Sequence, residues 1–214
     1  MIISRLIVGP LGTNCYIVKD ETTSKGFIVD PGSGCDKIIK EVETLGVQPE
    51  YVVLTHGHFD HCLCSKDICE KFGSKLVMNK VDYELYKNGA GLVRHFFSDR
   101  VQKMIEQYYV EPSVFVTEGD SLNVGNMTLT FMNMPGHTAG SMFIFCGDVA
   151  FTGDTLLLGT VGRTDFEESR PFEMDDTLRR IKHLTGDYKV YPGHGELTTL
   201  RREQSTNSFI YGIL

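Results

Sequence analysis

Thr55-His56-Gly57-His58-Phe59-Asp60-His61 follows directly on Tyr51-Val52-Val53-Leu54, a short and uniformly apolar run. A run of that kind reads as a strand covered on both faces, and it ends where the histidines begin. His56 and His58, two residues apart, can project from an extended turn toward one point. Asp60 and His61 can then serve a neighbouring point about 3.5 to 4 Å away, the usual separation of a metal pair. One short loop can therefore feed two ions, but each ion needs further ligands. The chain offers three in matching contexts: Pro135-Gly136-His137, Thr152-Gly153-Asp154 and Pro192-Gly193-His194-Gly195. Five of the seven histidines thus sit in Gly- or Pro-rich turns behind apolar runs, and only His95 and His183 lie elsewhere. A loop at a strand end is held by a rigid scaffold yet stays open, and glycine lets the backbone turn sharply beside the cluster.

Working outward, Leu6-Ile7-Val8, Cys15-Tyr16-Ile17-Val18 and Phe27-Ile28-Val29 read as an antiparallel meander ending at the turn Asp30-Pro31-Gly32. Ile38, Ile39, Val42 and Leu45 recur at helical spacing, with Gly46 placed as a C-cap. Asp67 to Phe72 reads as a helix and Lys75 to Met78 as a strand, while residues 80 to 115 are mixed and poorly periodic. Beyond them come strands at Met127 to Met132, Ser141 to Phe145 and Val149 to Phe151, a helix from Phe172 to Leu184 and a strand at Lys189-Val190-Tyr191. Strands, helix and strand occur twice in that order. The expectation is a single domain, 1–214, of two similar halves, about 1–118 and 119–214.

With 41% hydrophobic and 23% charged residues the chain is too apolar for a disordered segment, and its length suffices for a sizeable core. A net charge of -7 provides no basic footprint for phosphate backbones, so no nucleic-acid partner is expected. No stretch approaches the roughly 18 consecutive apolar residues of a membrane span, and the first residues do not read as a signal peptide. A cytoplasmic protein without a membrane partner is expected; the oligomeric state is open. The six cysteines, Cys15, Cys35, Cys62, Cys64, Cys69 and Cys146, form no C-x-x-C pair and read as reduced thiols.

Five neutral imidazoles and two carboxylates carry -2 against the +4 of two divalent ions, and a bridging hydroxide leaves +1. Such a site attracts an anionic or carbonyl substrate and activates water near neutral pH. Nitrogen and carboxylate donors without thiolate suit zinc, iron or manganese.

At these residues the sequence resembles the metallo-β-lactamase superfamily, whose H-x-H-x-D-H loop and later His, Asp and His are matched in order by His56, His58, Asp60, His61, His137, Asp154 and His194. The resemblance covers about Asn14 to His194. It implies an α/β (α+β) fold, the four-layer αββα sandwich, with two divalent metals, zinc in the first place and iron or manganese as alternatives. His56, His58 and His137 would hold the first, Asp60, His61 and His194 the second, and Asp154 would bridge them. Asp60 and Asp154 are then the catalytic carboxylates. A bridging carboxylate is absent from the true β-lactamases of this superfamily, so Asp154 points instead to the glyoxalase II group, thioesterases that use a metal-bridging hydroxide on hydroxyacylglutathione. The expected substrate is a small thioester or other acyl compound. Gly162-Arg163-Thr164-Asp165-Phe166 resembles a segment of short glyoxalase II-like proteins and of persulfide dioxygenases alike. The alternative is therefore a mononuclear iron persulfide dioxygenase with His56, His137 and Asp154 as ligands. Arg163 is either a substrate contact or a loop arginine paired with Asp165 or Glu167. Full-length glyoxalase II has a C-terminal helical domain that supplies much of its glutathione pocket, whereas 20 residues follow His194 here, so another thiol carrier is admitted. Cys62 and Cys64 read as small residues at a helix start, the ligand set being complete without sulfur. Tyr83, Tyr86, His95, Tyr108 and Tyr109 belong either to the cleft wall or to ordinary core and surface.

Overall fold

The computed structural model describes residues 1–88 and 109–213, so His95 and Tyr108 lie outside the described residues. Side-chain alternation along the strands builds the layers. In β2 (Thr13–Lys19), Cys15 and Ile17 face one way while Tyr16 and Val18 face the other, and in β3 (Lys25–Val29) Ile28 opposes Phe27 and Val29. With period two and an unbroken apolar run at Cys15–Val18 and again at Phe27–Val29, both faces of these strands must be covered.

β1 (Ile2–Val8), β2, β3, β4 (Gln48–Val53), β5 (Lys75–Asn79) and β6 (Val114–Val116) form one sheet in that order. The first three strands are the antiparallel meander read from the sequence, and β3 to β6 pair in parallel. The second sheet is ordered β14-β13-β10-β9-β8-β7, from β7 (Ser121–Val124), β8 (Met127–Asn133), β9 (Met142–Cys146), β10 (Val149–Gly153), β13 (Lys189–Pro192) and β14 (Thr198–Thr199). A hairpin of β11 (Leu156–Leu157) and β12 (Thr160–Val161) stands apart.

Between the sheets, Tyr16, Phe27, Val53 and Val77 pack against Leu129, Phe131, Ile144 and Phe151. Ile38 and Val42 of α1 (Cys35–Leu45) and Ile68 of α3 (Ser65–Phe72) cover the outer face of the first sheet with Ile17, Ile28 and Val52. Met174, Leu178 and Ile181 of α5 (Pro171–His183) cover the second, with Leu200 of α6 (Leu200–Thr206) and Ile210 of α7 (Ser208–Tyr211). Three cores between four layers make the αββα sandwich. Among the described residues no helix is long and apolar enough to cross a membrane.

Two helices begin earlier than their apolar spacing indicates, at Cys35 and Ser65. The expectation of reduced thiols is corrected at one pair: Cys35 and Cys64 form a disulfide, with Cα atoms 5.3 Å apart. They are 29 residues apart, and the meeting of α1 with α3 brings them together, so sequence spacing carries no sign of it. Cys15, Cys62, Cys69 and Cys146 are free and buried as packing residues.

A short turn at Lys80–Asp82 leads into α4 (Tyr83–Asn88) and places Asp82 between the two sheets' loops. Its carboxylate accepts from Gly57 N at 2.9 Å, Gly140 N at 2.6 Å and Thr138 Oγ1 at 2.6 Å. Burial pushes the Asp82 carboxyl above its ordinary pKa, and these donors pull against that shift. Asp82→Ala would leave the Gly57 and Gly140 amides buried and unpaired and the Thr138 hydroxyl with Ser141 Oγ as its remaining partner, so a loss of about 3 kcal/mol is expected. Urea unfolding should show a lower midpoint with an unchanged slope.

Candidate metal centre

The seven residues read as ligands come from loops at the carboxyl ends of strands. His56, His58, Asp60 and His61 follow β4, His137 follows β8, Asp154 follows β10 and His194 follows β13. Strand ends are where an α/β sheet leaves a crevice for ligands. Phe59–Cys62 coil into one helical turn, α2, with His58 extended just before it, which turns Asp60 and His61 away from His56 and His58.

Two groups of donors result. His58 Nδ1 lies 3.1 Å from His56 Nε2 and 2.9 Å from His137 Nε2. Beside them, His61 Nε2 lies 3.3 Å from His194 Nε2, and Asp60 Oδ2 is 3.4 Å from the former and 3.3 Å from the latter. Asp154 faces both groups: Oδ2 is 3.7 Å from His137 Nε2 and 3.4 Å from His194 Nε2, and Oδ1 is 3.6 Å from His61 Nε2. His56, His58 and His137 form one cluster that could hold an ion, and Asp60, His61 and His194 another. The structure therefore brings together all seven.

The ring nitrogens on the far side decide whether a cation fits. His137 Nδ1 meets the Arg163 carbonyl oxygen at 2.8 Å, and His58 Nε2 meets Glu168 Oε1 at 3.0 Å. His61 Nδ1 meets Asp30 Oδ2 at 3.0 Å. Carbonyl and carboxylate oxygens can only accept, so each of these outer nitrogens carries a hydrogen, and each ring, when neutral, turns a lone pair inward. His56 Nδ1 meets the Thr55 hydroxyl at 3.0 Å, and that hydroxyl donates to Asp30 Oδ2 at 2.6 Å. Lone pairs about 3 Å apart repel unless a positive charge lies between them. The Asp154 Oδ1 atom is buried without a hydrogen-bond partner among the described residues. Inward lone pairs and an unpaired buried carboxylate oxygen fit divalent metals held by nitrogen and oxygen donors.

The protonation pattern divides the two groups. Burial, with the neighbouring imidazoles, holds His56 well below the ordinary histidine pKa, and burial takes His137 down to about 4 against the pull of Asp154. Burial also opposes charge on His61, but Asp60, Asp154 and Asp30 outweigh it and hold that imidazole well above its ordinary value. His194 is raised, with burial opposing the pull of Asp60 and Asp154. Against their own burial, Asp60 is drawn down to about 2 by His61 and His194, and Asp154 lies well below the carboxylate range beside His61 and His137.

Cys62 is buried, and its thiol donates to the Phe59 carbonyl oxygen at 3.6 Å. Burial pushes this thiol well up, and among the described residues Cys62 belongs to neither of the two donor groups. Arg163 is bound by Asp165 through two contacts of 2.6 Å and lies over the Phe166 ring. Its carbonyl, rather than its guanidinium, meets the site. Tyr83 and Tyr109 share a hydrogen bond, both reach Glu111, and Tyr86 donates to the Val110 carbonyl.

Four residues that hold this arrangement were not singled out by the sequence: Asp30, Thr13, Asn14 and Glu168. Asp30-Pro31-Gly32 follows a strand in the same turn context as the ligands, so its placement was a readable signal. Thr13 Oγ1 donates to Asp60 Oδ2 at 2.9 Å, and Asn14 Nδ2 donates to the Pro192 and Gly195 carbonyls, both at 2.9 Å. Nothing in a single sequence joins residues 13 and 14 to residues 192–195. Gly193 must lack a side chain, since a Cβ there would come within 2.1 Å of Asp154 Oδ1.

A sequence profile of the metallo-beta-lactamase superfamily matches residues 8–194. The chain is 28% identical to the hydroxyacylglutathione hydrolase GloC of Haemophilus influenzae, over 92% of each chain. Among solved structures, BLEG-1, a B3 metallo-beta-lactamase, superimposes with a TM-score of 0.86 over 99% of this chain and 100% of that one; at 24% identity this likeness concerns the fold alone. TTHA1623 in a di-iron-bound form matches with a TM-score of 0.82 and 28% identity, over 96% of this chain and 99% of that one. ETHE1 from Myxococcus xanthus gives 0.80 and 27%, over 99% and 85%. With its profile matched through all four loops that carry the converging residues and its sandwich shared with these structures, the chain belongs to the metallo-β-lactamase superfamily.

Proposed function

We propose that this chain is a binuclear metal-dependent thioester hydrolase of hydroxyacylglutathione hydrolase (glyoxalase II) type. The observation that carries the reading is Asp154, one carboxylate facing two complete donor groups. His56, His58 and His137 would hold one divalent ion, and Asp60, His61 and His194 the other. Ions bound there supply a water acidic enough to attack at neutral pH and positive charge for the carbonyl oxygen and leaving thiolate. No serine or cysteine nucleophile is required.

The chain's own residues keep that chemistry in register. Asp60 is held by the Thr13 hydroxyl, which donates to Oδ2, and that same oxygen faces His61 and His194. His137 is fixed by the Arg163 carbonyl, which assigns the Gly162–Phe166 segment a supporting role beside the site. An open cleft of about 560 Å³ shares Gly162, Arg163 and Thr164 with that segment; Phe172, Met174, Leu178 and Phe209 line its apolar side, and Asp175 also lines it. Its apolar wall suits the carbon skeleton of a small acyl or thiol-carrier group.

The similarity to GloC supports hydroxyacylglutathione as the first substrate to try. Zinc is the favoured metal, and the likeness to a di-iron-bound protein keeps iron beside it. A mononuclear iron dioxygenase would use only His56, His137 and Asp154. The convergence of Asp60, His61 and His194 as well favours the two-metal reading.

Elemental analysis of the purified protein, coupled to a thioester panel including lactoylglutathione, should find about two metals per chain and oxygen-independent turnover. One iron per chain, with oxygen consumed alongside a persulfide, would establish the dioxygenase instead. Asp154→Ala should lower turnover by more than the roughly 10- to 100-fold typical of an outer-shell partner and reduce the metal content. Full turnover with both metals retained would remove Asp154 from its bridging role. Gly193→Ala should likewise cost metal, because its Cβ would displace either Asp154 or the His194 turn; a crystal structure of that variant should show which one moves.

A further inference from the structure

Glu168 is not among the seven converging residues, and the functional reading above does not use it. Its Oε1 lies 3.0 Å from His58 Nε2, on the side of the ring away from His56 and His137. The His58 side chain is only 4% exposed and that of Glu168 23%, so the contact is largely shielded from water, unlike the freely exposed ion pairs that contribute little.

The backbone just after Glu168 is tied to the His137 turn and closes a turn with Phe166. Ser169 Oγ donates to the His137 carbonyl at 2.8 Å, Ser169 N to Phe166 O at 3.1 Å, and Arg170 N to Gly136 O at 2.8 Å. The Phe166 ring meets the imidazoles of His58 and His137 edge-on, with centroids 5.6 and 6.0 Å away. The carboxylate thus stands on a fixed rung. In the same cluster His56 and His137 are oriented by a hydroxyl and a backbone carbonyl, whereas His58 is oriented by a carboxylate.

We propose that Glu168 is a positioning residue for metal binding at the His56–His58–His137 cluster. Its carboxylate accepts the His58 Nε2 hydrogen, which keeps the proton on Nε2, aims the Nδ1 lone pair at the point shared with His56 and His137, and makes that lone pair more basic. The inference rests on the metal-site reading and is independent of the substrate.

The test is titration of metal-free protein with zinc against a competing chelator, for wild type, Glu168→Ala, Glu168→Gln and the exposed neighbour Glu167→Gln. Glu168→Ala should weaken one of the two zinc affinities by roughly 10- to 100-fold and leave the other in place. Glu168→Gln, whose amide oxygen still accepts the hydrogen bond without the charge, should show a smaller loss, and Glu167→Gln none. The metal-free melting temperatures should agree, and the NMR signal of the His58 Nε2 hydrogen should be lost or broadened in Glu168→Ala. Unchanged affinities in Glu168→Ala would overturn the proposal, as would an equal loss in Glu167→Gln, which marks a general charge effect. Should Glu168→Ala fail to fold, Glu168→Gln decides alone: weakened binding at one site supports the proposal and wild-type affinity overturns it. Inactivity toward every thioester would defeat the substrate reading and leave this titration intact.

Discussion

A buried carboxyl group must find donors, and Asp30 finds all of its own on the loop that carries four of the seven converging residues. It accepts from Thr55 N at 2.8 Å, from the Thr55 hydroxyl and from His61 Nδ1. To present both oxygens it takes a left-handed backbone, φ 50°, which aspartate tolerates better than most residues. Through Thr55 it reaches His56 and through its own Oδ2 it reaches His61, so one carboxylate sets a ring in each donor group. Without it, two buried imidazoles would be free to turn their hydrogens inward.

The two halves of the chain are joined by polar contacts at this rim as well as by the apolar core between the sheets. Thr55 O accepts from Met142 N at 3.0 Å, and Asn14 N donates to Gly193 O at 2.7 Å. Tyr16 OH donates to Pro192 O at 2.6 Å, and Asp82 binds Gly57 from one half and Thr138 and Gly140 from the other. These contacts pair backbone groups at the strand ends, so satisfying the backbone also aligns the turns that carry the converging residues. The packed sandwich accounts for the layers, and these hydrogen bonds account for the sub-ångström agreement a metal site needs.

Burial works in opposite directions in the two donor groups. It suppresses charge on His56 and His137, leaving neutral nitrogen donors, while at His61 the surrounding carboxylates overcome it. The outer partners differ in the same way: hydroxyl and carbonyl oxygens at His56 and His137, carboxylates at His58 and His61.

The chemistry of the candidate site was legible in the chain because it is local. A histidine run behind an apolar strand, and further His and Asp in glycine turns behind other strands, state the donor types and the points where the backbone can turn. The period-two and helical patterns were local too, and they named most of the strands and the covering helices. What links distant positions was not legible. The Cys35–Cys64 bridge, the hold of Thr13 and Asn14 on Asp60 and the His194 turn, and the acceptors Asp30 and Glu168 behind His61 and His58 all join residues far apart in the chain. The sequence by itself determined which atoms could bind a metal and where strands end. Only the tertiary structure decided which nitrogen of each ring faces inward, because a tautomer is chosen by the acceptor on the ring's far side and that acceptor arrives from another loop.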